Sequence, residues 1–395
     1  MDPLFRALRH RDFRLFLACQ VVSLAGTWMQ GLAQNWLVYR LTDSTLLMGA
    51  IGFCQYAPVL LLGPLAGVAA DRYSRRKIVI AAQSLFLFQA AALATLTLSG
   101  AITIPLIVGL AVFWGAVNAF DIPARQSLYV RMVGPEDLPN AIALNSMTFN
   151  AARIVGPSFA GFFVALFGEG VCFAVNAATF AGVIAALWSM RSPETQTAQH
   201  DPAWQRLREG FSYAWNHPRV RALLTVSALA NLAMAPSNLL GPVFAGRIFE
   251  RGAPGLGMLT GALGLGAVMG TAFLARRGGN LPGVVLGSTL TNFAGLAAYA
   301  AAPTFEIALG AMGVCGFSIF RTLSAVNTLV QTSIEDEYRG RVMSLYSMSV
   351  VGMAPFGNLL AGVAADVAGP RATVCGGALL ALAAALFWSR RMKQS

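Results

Sequence analysis

Apolar residues run along this chain in blocks of roughly twenty or more, each closed by a short polar cluster, and the rhythm holds from end to end. On the length needed to cross the hydrocarbon of a bilayer, the pattern predicts about twelve helical spans. They lie near 13–39, 45–70, 77–99, 103–130, 138–167, 170–190, 219–246, 255–275, 281–301, 304–332, 340–365 and 371–388. One long polar interruption, RSPETQTAQHDPAWQRLREGFSYAWNHPRV, separates the sixth span from the seventh. Its first part is too polar to pack and is expected to be a linker. Farther on, Trp204, Leu207, Phe211 and Ala214 recur at helical spacing with Arg206, Arg208 and Glu209 off their line, the pattern of a short helix on a membrane face. The expected fold is an all-α membrane protein of twelve transmembrane helices in two pseudo-symmetric halves. These are a six-helix half over 1–190, a linker with its amphipathic helix over 191–218, and a second six-helix half over 219–395.

The halves resemble each other in detail. GPEDLPNAIALNSM (Gly134 to Met147) follows the fourth span and SIEDEYRGRVMSLYSM (Ser333 to Met348) follows the tenth, each leading with an acidic pair into the next span. Gly67, Asp71, Arg75 and Arg76 after the second span correspond to Gly270, Leu274, Arg276 and Arg277 after the eighth. Repeats of six spans with nested inverted triplets are the architecture of many secondary transporters, with the substrate site near midplane. The spacing of Gly63 with Gly67, and of Gly266 with Gly270, is that of a helix-packing face.

Composition agrees with a chain immersed in lipid: 56% of residues are hydrophobic and 11% charged. The net charge of +11 reports topology once it is mapped. With the N-terminus inside, 22 of the 28 Lys and Arg fall on the inner side, and Arg40, Arg247, Arg251 and Arg371 fall outside. Arg153 and Arg321 lie within spans. This asymmetry is the positive-inside rule, which puts both termini in the cytoplasm and leaves nucleic acid no place as a partner. The basic start precedes an apolar stretch too long for a signal peptide, so none is expected. Cys19, Cys54, Cys172, Cys315 and Cys375 fall in spans without metal-ligand spacing and read as small apolar residues. The three histidines fall in loops. Neither a hydrolase elbow, a phosphate-binding loop nor a zinc-protease motif is present, so no enzyme activity, cofactor or metal is expected, and pumping must draw on a gradient.

Polar side chains are expensive within lipid, so they mark either a wet path or bonds between helices. Gln20, Ser23, Thr27, Gln30 and Gln34 line one face of the first span; Ser227, Asn231, Met234 and Asn238 line one face of the seventh. Trp28, Gln55 and Tyr56 stand near the middle of the first two spans, and Arg321, Ser324, Thr328 and Gln331 form a further polar line in the tenth. Thr27, Trp28, Gln30, Gln34, Gln55, Tyr56, Asn231, Asn238 and Thr328 are the candidate cavity residues. Asp121, Arg125, Arg153 and Arg321 are the candidate charge network. Asp121 and Arg125, four apart, could pair on one face; such a pair could couple transport to protons or serve as a permanent structural bridge.

GVAADRYSRRK (Gly67 to Lys77) resembles motif A of the major facilitator superfamily, G-x-x-x-D-[RK]-x-G-[RK]-[RK], with Gly67, Asp71, Arg72, Arg75 and Arg76 in place and Ser74 where the second glycine usually stands. The resemblance implies that these residues tie the loop after the second span to neighbouring helices as an inner gate. RIVGPSFAG (Arg153 to Gly161) is similar to the Gly-Pro motif of the fifth span in the family's antiporters, with Gly156, Pro157 and Gly161 matching. With DIPARQ and EDLPNAIALNS, the whole chain resembles the bacterial drug:proton antiporter branch that includes macrolide effluxers and the enterobactin (siderophore) exporter. That resemblance implies a monomeric inner-membrane carrier exporting a small amphipathic molecule in exchange for protons, by alternating access. A lysophospholipid flippase and a non-transporting sensor or scaffold are the other readings.

Overall fold

The computed structural model describes the backbone of residues 3–190, 203–277 and 279–392, less the side chains of residues 3, 4, 64, 68, 71, 150, 203–207, 277, 336, 337 and 351. The expected linker at 191–202, with His200, lies outside the described residues.

The described chain is helical throughout. After a 3₁₀ stretch (Pro3–Arg9) come α1 (Arg11–Thr42), α2 (Thr45–Arg72), α3 (Arg75–Leu98), α4 (Ile104–Phe167) and α5 (Glu169–Trp188). The amphipathic α6 (Ala203–Asn216) leads into α7 (Pro218–Leu239), which continues through a single turn, α8 (Gly241–Val243), and a π-helical turn at Phe244–Ile248. Then follow α9 (Gly252–Arg277), α10 (Leu281–Ala301), α11 (Phe305–Thr332), α12 (Asp336–Val351), α13 (Ala354–Ala368) and α14 (Pro370–Met392).

Among the described residues eleven helical stretches are long and apolar enough to span a bilayer, and one of them, Ile104–Phe167, holds 64 residues. At 1.5 Å per residue that is about three hydrocarbon thicknesses, far too long for one span, and a break inside it divides it into two. The break falls at Gly134, where φ is 73° and only glycine is unstrained. Counted so, the twelve expected spans are present, with the eleventh formed by α12 and α13 in succession.

By internal contact the chain divides into two compact units, Met1–Leu37 with Cys54–Ala203, and Val38–Phe53 with Trp204–Ser395. The end of α1 and the start of α2 thus group with the second unit. There the Thr45 hydroxyl donates to the Gly362 carbonyl (3.2 Å), and a Cβ on Gly49 would stand 3.0 Å from the Gly362 Cα. Gly362 opens the second GVAAD of the sequence, and here its lack of a side chain admits a neighbouring backbone.

In the first unit, Phe13, Phe16, Val79, Ala124, Tyr129 and Leu187 belong to one buried cluster, and Phe86 and Phe180 stack at 5.6 Å in another. In the second, Val220, Leu223, Val326, Val330 and Trp388 form the corresponding core. Of the expected glycine faces, Gly266 and Gly270 pack against the backbone of α11 at Gly313 and Phe317. A Cβ at Gly63 or Gly67 would meet nothing within 4 Å. Cys172 and Cys315 are buried as expected, whereas Cys375 is exposed on α14.

Candidate functional site

The charged centre of the first unit is Asp121, fully buried on the first half of α4. A carboxylate buried alone is prohibitively costly, so it must find donors. Arg125, one helical turn on, places a guanidinium nitrogen 2.9 Å from Oδ2, and Gln83 of α3 donates to Oδ1 at 3.2 Å. One turn farther, the Tyr129 hydroxyl donates to Asn145 Oδ1 (2.7 Å), bonding the two parts of α4 across the Gly134 break. The i, i+4 pair is as the sequence spacing suggests; Gln83, on another helix, had no such marker.

The second part of α4 lies against α1 at the Gly-Pro motif. A Cβ on Gly156 would sit 2.5 Å from the Ala25 carbonyl oxygen and 2.7 Å from the Trp28 Cβ, so only glycine permits this approach. Pro157 and Gly161 are buried beside it within the helix. Arg153, one turn before, has its guanidinium carbon 5.7 Å from the Trp28 ring centroid, and Trp28 meets Phe149 edge-on at 5.6 Å. Arg153 and Trp28 thus stand together, apart from Asp121 in the contacts they make.

The polar face of α1 is mostly buried, with Gln30 bonded to neighbouring helices and Gln20 Oε1 left without a hydrogen-bond partner. Gln20, Ser23, Gln30 and Gln34 are all buried. The Gln30 amide donates to Gln89 of α3 (3.0 Å), and Asn176 of α5 donates to the Gln30 carbonyl oxygen (2.8 Å). A three-helix carboxamide chain results. Thr27 bonds the Ser23 carbonyl (2.9 Å), while Thr27, Trp28, Gln55 and Tyr56 remain half-buried. Tyr56 meets Trp114 edge-on at 6.1 Å, and Gly115 touches the Gln55 carbonyl oxygen. Gln89 and Asn176 were not singled out in the sequence, although a lone carboxamide inside an apolar span already demands a partner.

In the second unit, Asn231 is half-buried and donates to the Ser227 carbonyl (2.9 Å), while the Ser227 hydroxyl meets Ser349 at 2.6 Å. Asn238 and Thr328 are exposed, the latter donating to the Ser324 carbonyl (3.0 Å). Arg321 lies against the rings of Phe273 and Phe317.

The loop between α2 and α3 explains the serine of motif A. Ser74 is the N-cap of α3, its hydroxyl accepting from the Lys77 amide at 3.1 Å, so a helix cap replaces the usual glycine turn. Arg75 donates to the Ala70 carbonyl (3.3 Å) and Arg76 to the Trp188 carbonyl (2.9 Å), which ties the loop to the end of α5; Arg72 is exposed. The Asp71 side chain lies outside the described residues.

Two clamps at the ends of the helices escaped the sequence reading. Asp137, 1% exposed, receives Arg6 at 2.8 Å and Arg9 and His10 at 2.7 Å from the 3₁₀ stretch and the junction after it. The Ala7 amide also donates to Asn140 (2.8 Å). The hydrogen bond from His10, reinforced by both arginines, holds the Asp137 carboxyl below the usual aspartate range against the opposing effect of burial. In the second unit α6 docks on the start of α12: Glu209 pairs with Arg341 at 3.1 Å, and Tyr213 stacks on Tyr338 at 4.5 Å. Phe211 and Trp215, stacked on each other, stay exposed on the far side of α6. Among the described residues no cluster of His, Cys, Asp or Glu is arranged to hold a metal ion.

Eleven apolar helical stretches among the described residues, one of them double, make this a multi-pass membrane protein, and its sequence places it among the transporters of the major facilitator superfamily, a class that performs no enzymatic chemistry. The sequence matches the model of the transmembrane secretion effector family (MFS_3) over residues 3–395, and the chain belongs to that family. It is 24% identical to the staphyloferrin A transporter of Staphylococcus aureus over 359 residues, covering 90% of both chains. It is 27% identical to the multidrug efflux pump Tap of Mycolicibacterium fortuitum, covering 91% of this chain and 90% of Tap. To the enterobactin exporter EntS of Salmonella choleraesuis it is 24% identical, covering 90% of this chain and 86% of EntS. In fold it is similar to an inward-facing bacterial homologue of the iron transporter ferroportin (TM-score 0.74, 15% identity, 96% of this chain and 98% of that one). A bacterial homologue of the lysosomal transporter Spinster gives a TM-score of 0.72 at 15% identity, over 98% and 97% of the two chains. The protein is therefore a multi-pass membrane transporter acting on small molecules, with efflux-type relatives.

Proposed function

We propose that this carrier exports a small amphipathic molecule from the cytoplasm across the bacterial inner membrane in exchange for protons, by alternating access, as a monomer with both termini inside. The observation that carries the coupling is the Asp121 carboxylate, buried between Arg125 and Gln83. Protonation of Asp121 removes the charge that holds Arg125, so proton uptake and a local rearrangement of α3 and α4 become one event. The relatives that move siderophores and drugs support export and an amphipathic cargo. In this reading the two six-span halves, 1–190 and 219–395, move about a midplane path, and motif A around Asp71 forms the inner gate. Half-buried Trp28, Gln55, Tyr56 and Asn231 and exposed Asn238 and Thr328 line that path, with Gln30 holding it from behind.

The test is reconstitution into liposomes with and without an imposed pH gradient, using dyes, macrolides, siderophores and lysolipids as cargo. Gradient-driven accumulation that is abolished in Asp121→Asn supports the proposal. Unchanged proton dependence in that variant removes Asp121 from the coupling. Gradient-independent lipid movement would establish a flippase instead, and no movement of any cargo a sensor or scaffold.

A further inference from the structure

Arg321 stands two-thirds of the way along α11, a helix of 28 residues. One side of that helix is consumed by packing: Ser318 donates to Asn292 of α10 (3.2 Å), Thr322 meets Ser288 at 2.8 Å, and Ala325, Val326 and Leu329 are buried. The other side carries Ser324, Thr328 and Gln331 at successive turns below Arg321, with Thr328 and Gln331 exposed. Thr328 and Gln331 bond within the helix, to Ser324 and Asn327, but a cation heading an exposed polar line is costly against lipid, which favours an aqueous border for this side of α11.

At the head of this line the guanidinium carbon of Arg321 lies 5.1 Å from the centroid of Phe273 and 5.8 Å from that of Phe317. The two rings meet edge-on at 5.8 Å. Their placement is rigid, because α9 and α11 touch backbone to backbone beside them: Gly270 against Phe317, Gly266 against Gly313, and Gly316 against Leu263. Arg321 itself is not satisfied. Its Nε is buried with no hydrogen-bond partner, and among the described residues no carboxylate pairs with it. Cation–π contact is worth about 0.5–2 kcal/mol, too little to explain a cation placed in a span. A guanidinium packed against two aromatic rings, with a buried Nε that has no hydrogen-bond partner and no carboxylate beside it among the described residues, is suited to capture of an oxyanion.

We propose that Arg321 binds an oxyanion, carboxylate or phosphate, on the transported molecule, with Ser324 and Thr328 continuing the polar track on the side toward the end of α11. This rests on the transport reading above and narrows its cargo to molecules carrying such a group. It differs from Asp121 in role: Arg321 selects the cargo, and proton coupling lies elsewhere.

The experiment uses the full-length protein in two assays. First, purified wild type, Arg321→Lys and Arg321→Gln are titrated with fluorescein, with its methyl ester, which lacks the carboxylate but keeps the xanthene phenolate, and with lysophosphatidic acid beside lysophosphatidylcholine, following binding by fluorescence polarisation or thermal stabilisation. Wild type should prefer the acid over its ester, or the lipid with the exposed phosphate monoester over the choline ester. Arg321→Gln should lose that preference by about tenfold or more, the scale of one charged hydrogen bond, and Arg321→Lys should fall between. Second, liposomes under a pH gradient compare fluorescein with the cationic dye ethidium. Arg321→Gln should lose anion movement and keep cation movement. Acid binding in Arg321→Gln equal to wild type overturns the proposal, as does a wild type that binds acid and ester alike. Binding of the acid without any transport would refute the transport reading while leaving the assignment of Arg321 standing.

Discussion

Gly156 offers a sharp test of how the first unit is held together. A methyl group there would lie 2.5 Å from the Ala25 carbonyl oxygen, 2.7 Å from the Trp28 Cβ and 3.2 Å from the Met29 nitrogen. Ordinary carbon–oxygen approaches are about 3.3 Å or more, so Gly156→Ala must part α4 from α1 by about 0.8 Å. Two of the three obstructing atoms are backbone, which leaves no flexible side chain to swing aside. Overpacking of this kind costs about 1–3 kcal/mol, and the displacement also carries Trp28 away from Arg153. Gly31, also on α1, has nothing within 4 Å and is the control, since there alanine should be neutral or improve helix propensity by about 0.5–1 kcal/mol. Unfolding in mixed micelles by SDS titration should rank Gly156→Ala below wild type and Gly31→Ala at or above it. If both variants unfold at the same SDS fraction, the close crossing of α1 and α4 does not support the unit and the reasoning fails.

Other perturbations give equally definite outcomes. Gln30→Leu leaves Gln89 and Asn176 without their shared partner; interhelical bonds in membranes average about 0.6 kcal/mol, so a loss of about 1 kcal/mol is expected in the same SDS titration, with transport preserved. Loss of transport without loss of stability would return Gln30 to the substrate path. Asp121→Asn should destabilise by less than the about 3–5 kcal/mol of a fully buried broken pair, because Arg125 keeps 21% exposure, and adding Arg125→Met should recover part of it in a double-mutant cycle. Asp137 titrates below the usual aspartate range among Arg6, Arg9 and His10, with Glu136 near Arg6. Its stabilising contribution is therefore complete above the unfolded value of about 4 and fades only as pH falls through the lower folded value. Hydrogen exchange of residues 5–10 should stay slow from neutral pH to about 4 in wild type and be fast at neutral pH in Asp137→Asn; equal protection would disprove the clamp.

The spans were legible because lipid imposes one requirement, length of apolar sequence, that each helix meets by itself. The start of α2 at Thr45 was visible for that reason, and α6 for another, the helical recurrence of apolar residues within a polar segment. Partner choice was not. Helical spacing puts Gln20, Ser23, Gln30 and Gln34 on one face of α1, but whether that face meets water or other carboxamides depends on Gln89 and Asn176, 59 and 146 residues after Gln30. Asp121 with Arg125 was readable, being local; Gln83 was not. Arg6, Arg9 and Arg11 look in sequence like markers of topology, and only the fold shows two of them spent on Asp137. Ser74 looked like a lapse in a motif until its hydroxyl was seen capping α3.

The two clamps give the halves a common plan at their entrances. In the first half a short helix ends at Arg9, His10 marks the joint, and the first span follows; in the second, α6 ends at Asn216, His217 marks the joint, and α7 follows. Each leading helix grips the segment after the fourth span of its own half, and both segments carry an acidic pair, Glu136–Asp137 and Glu335–Asp336. The two contacts share their place and not their chemistry: Arg6 and Arg9 bring the positive charge to Asp137 in the first half, whereas Glu209 of α6 brings the negative charge to Arg341 in the second. In both halves the helix that precedes the first span is thus fastened to the segment after the fourth, so movement of that segment is felt at the entrance to the half's first helix.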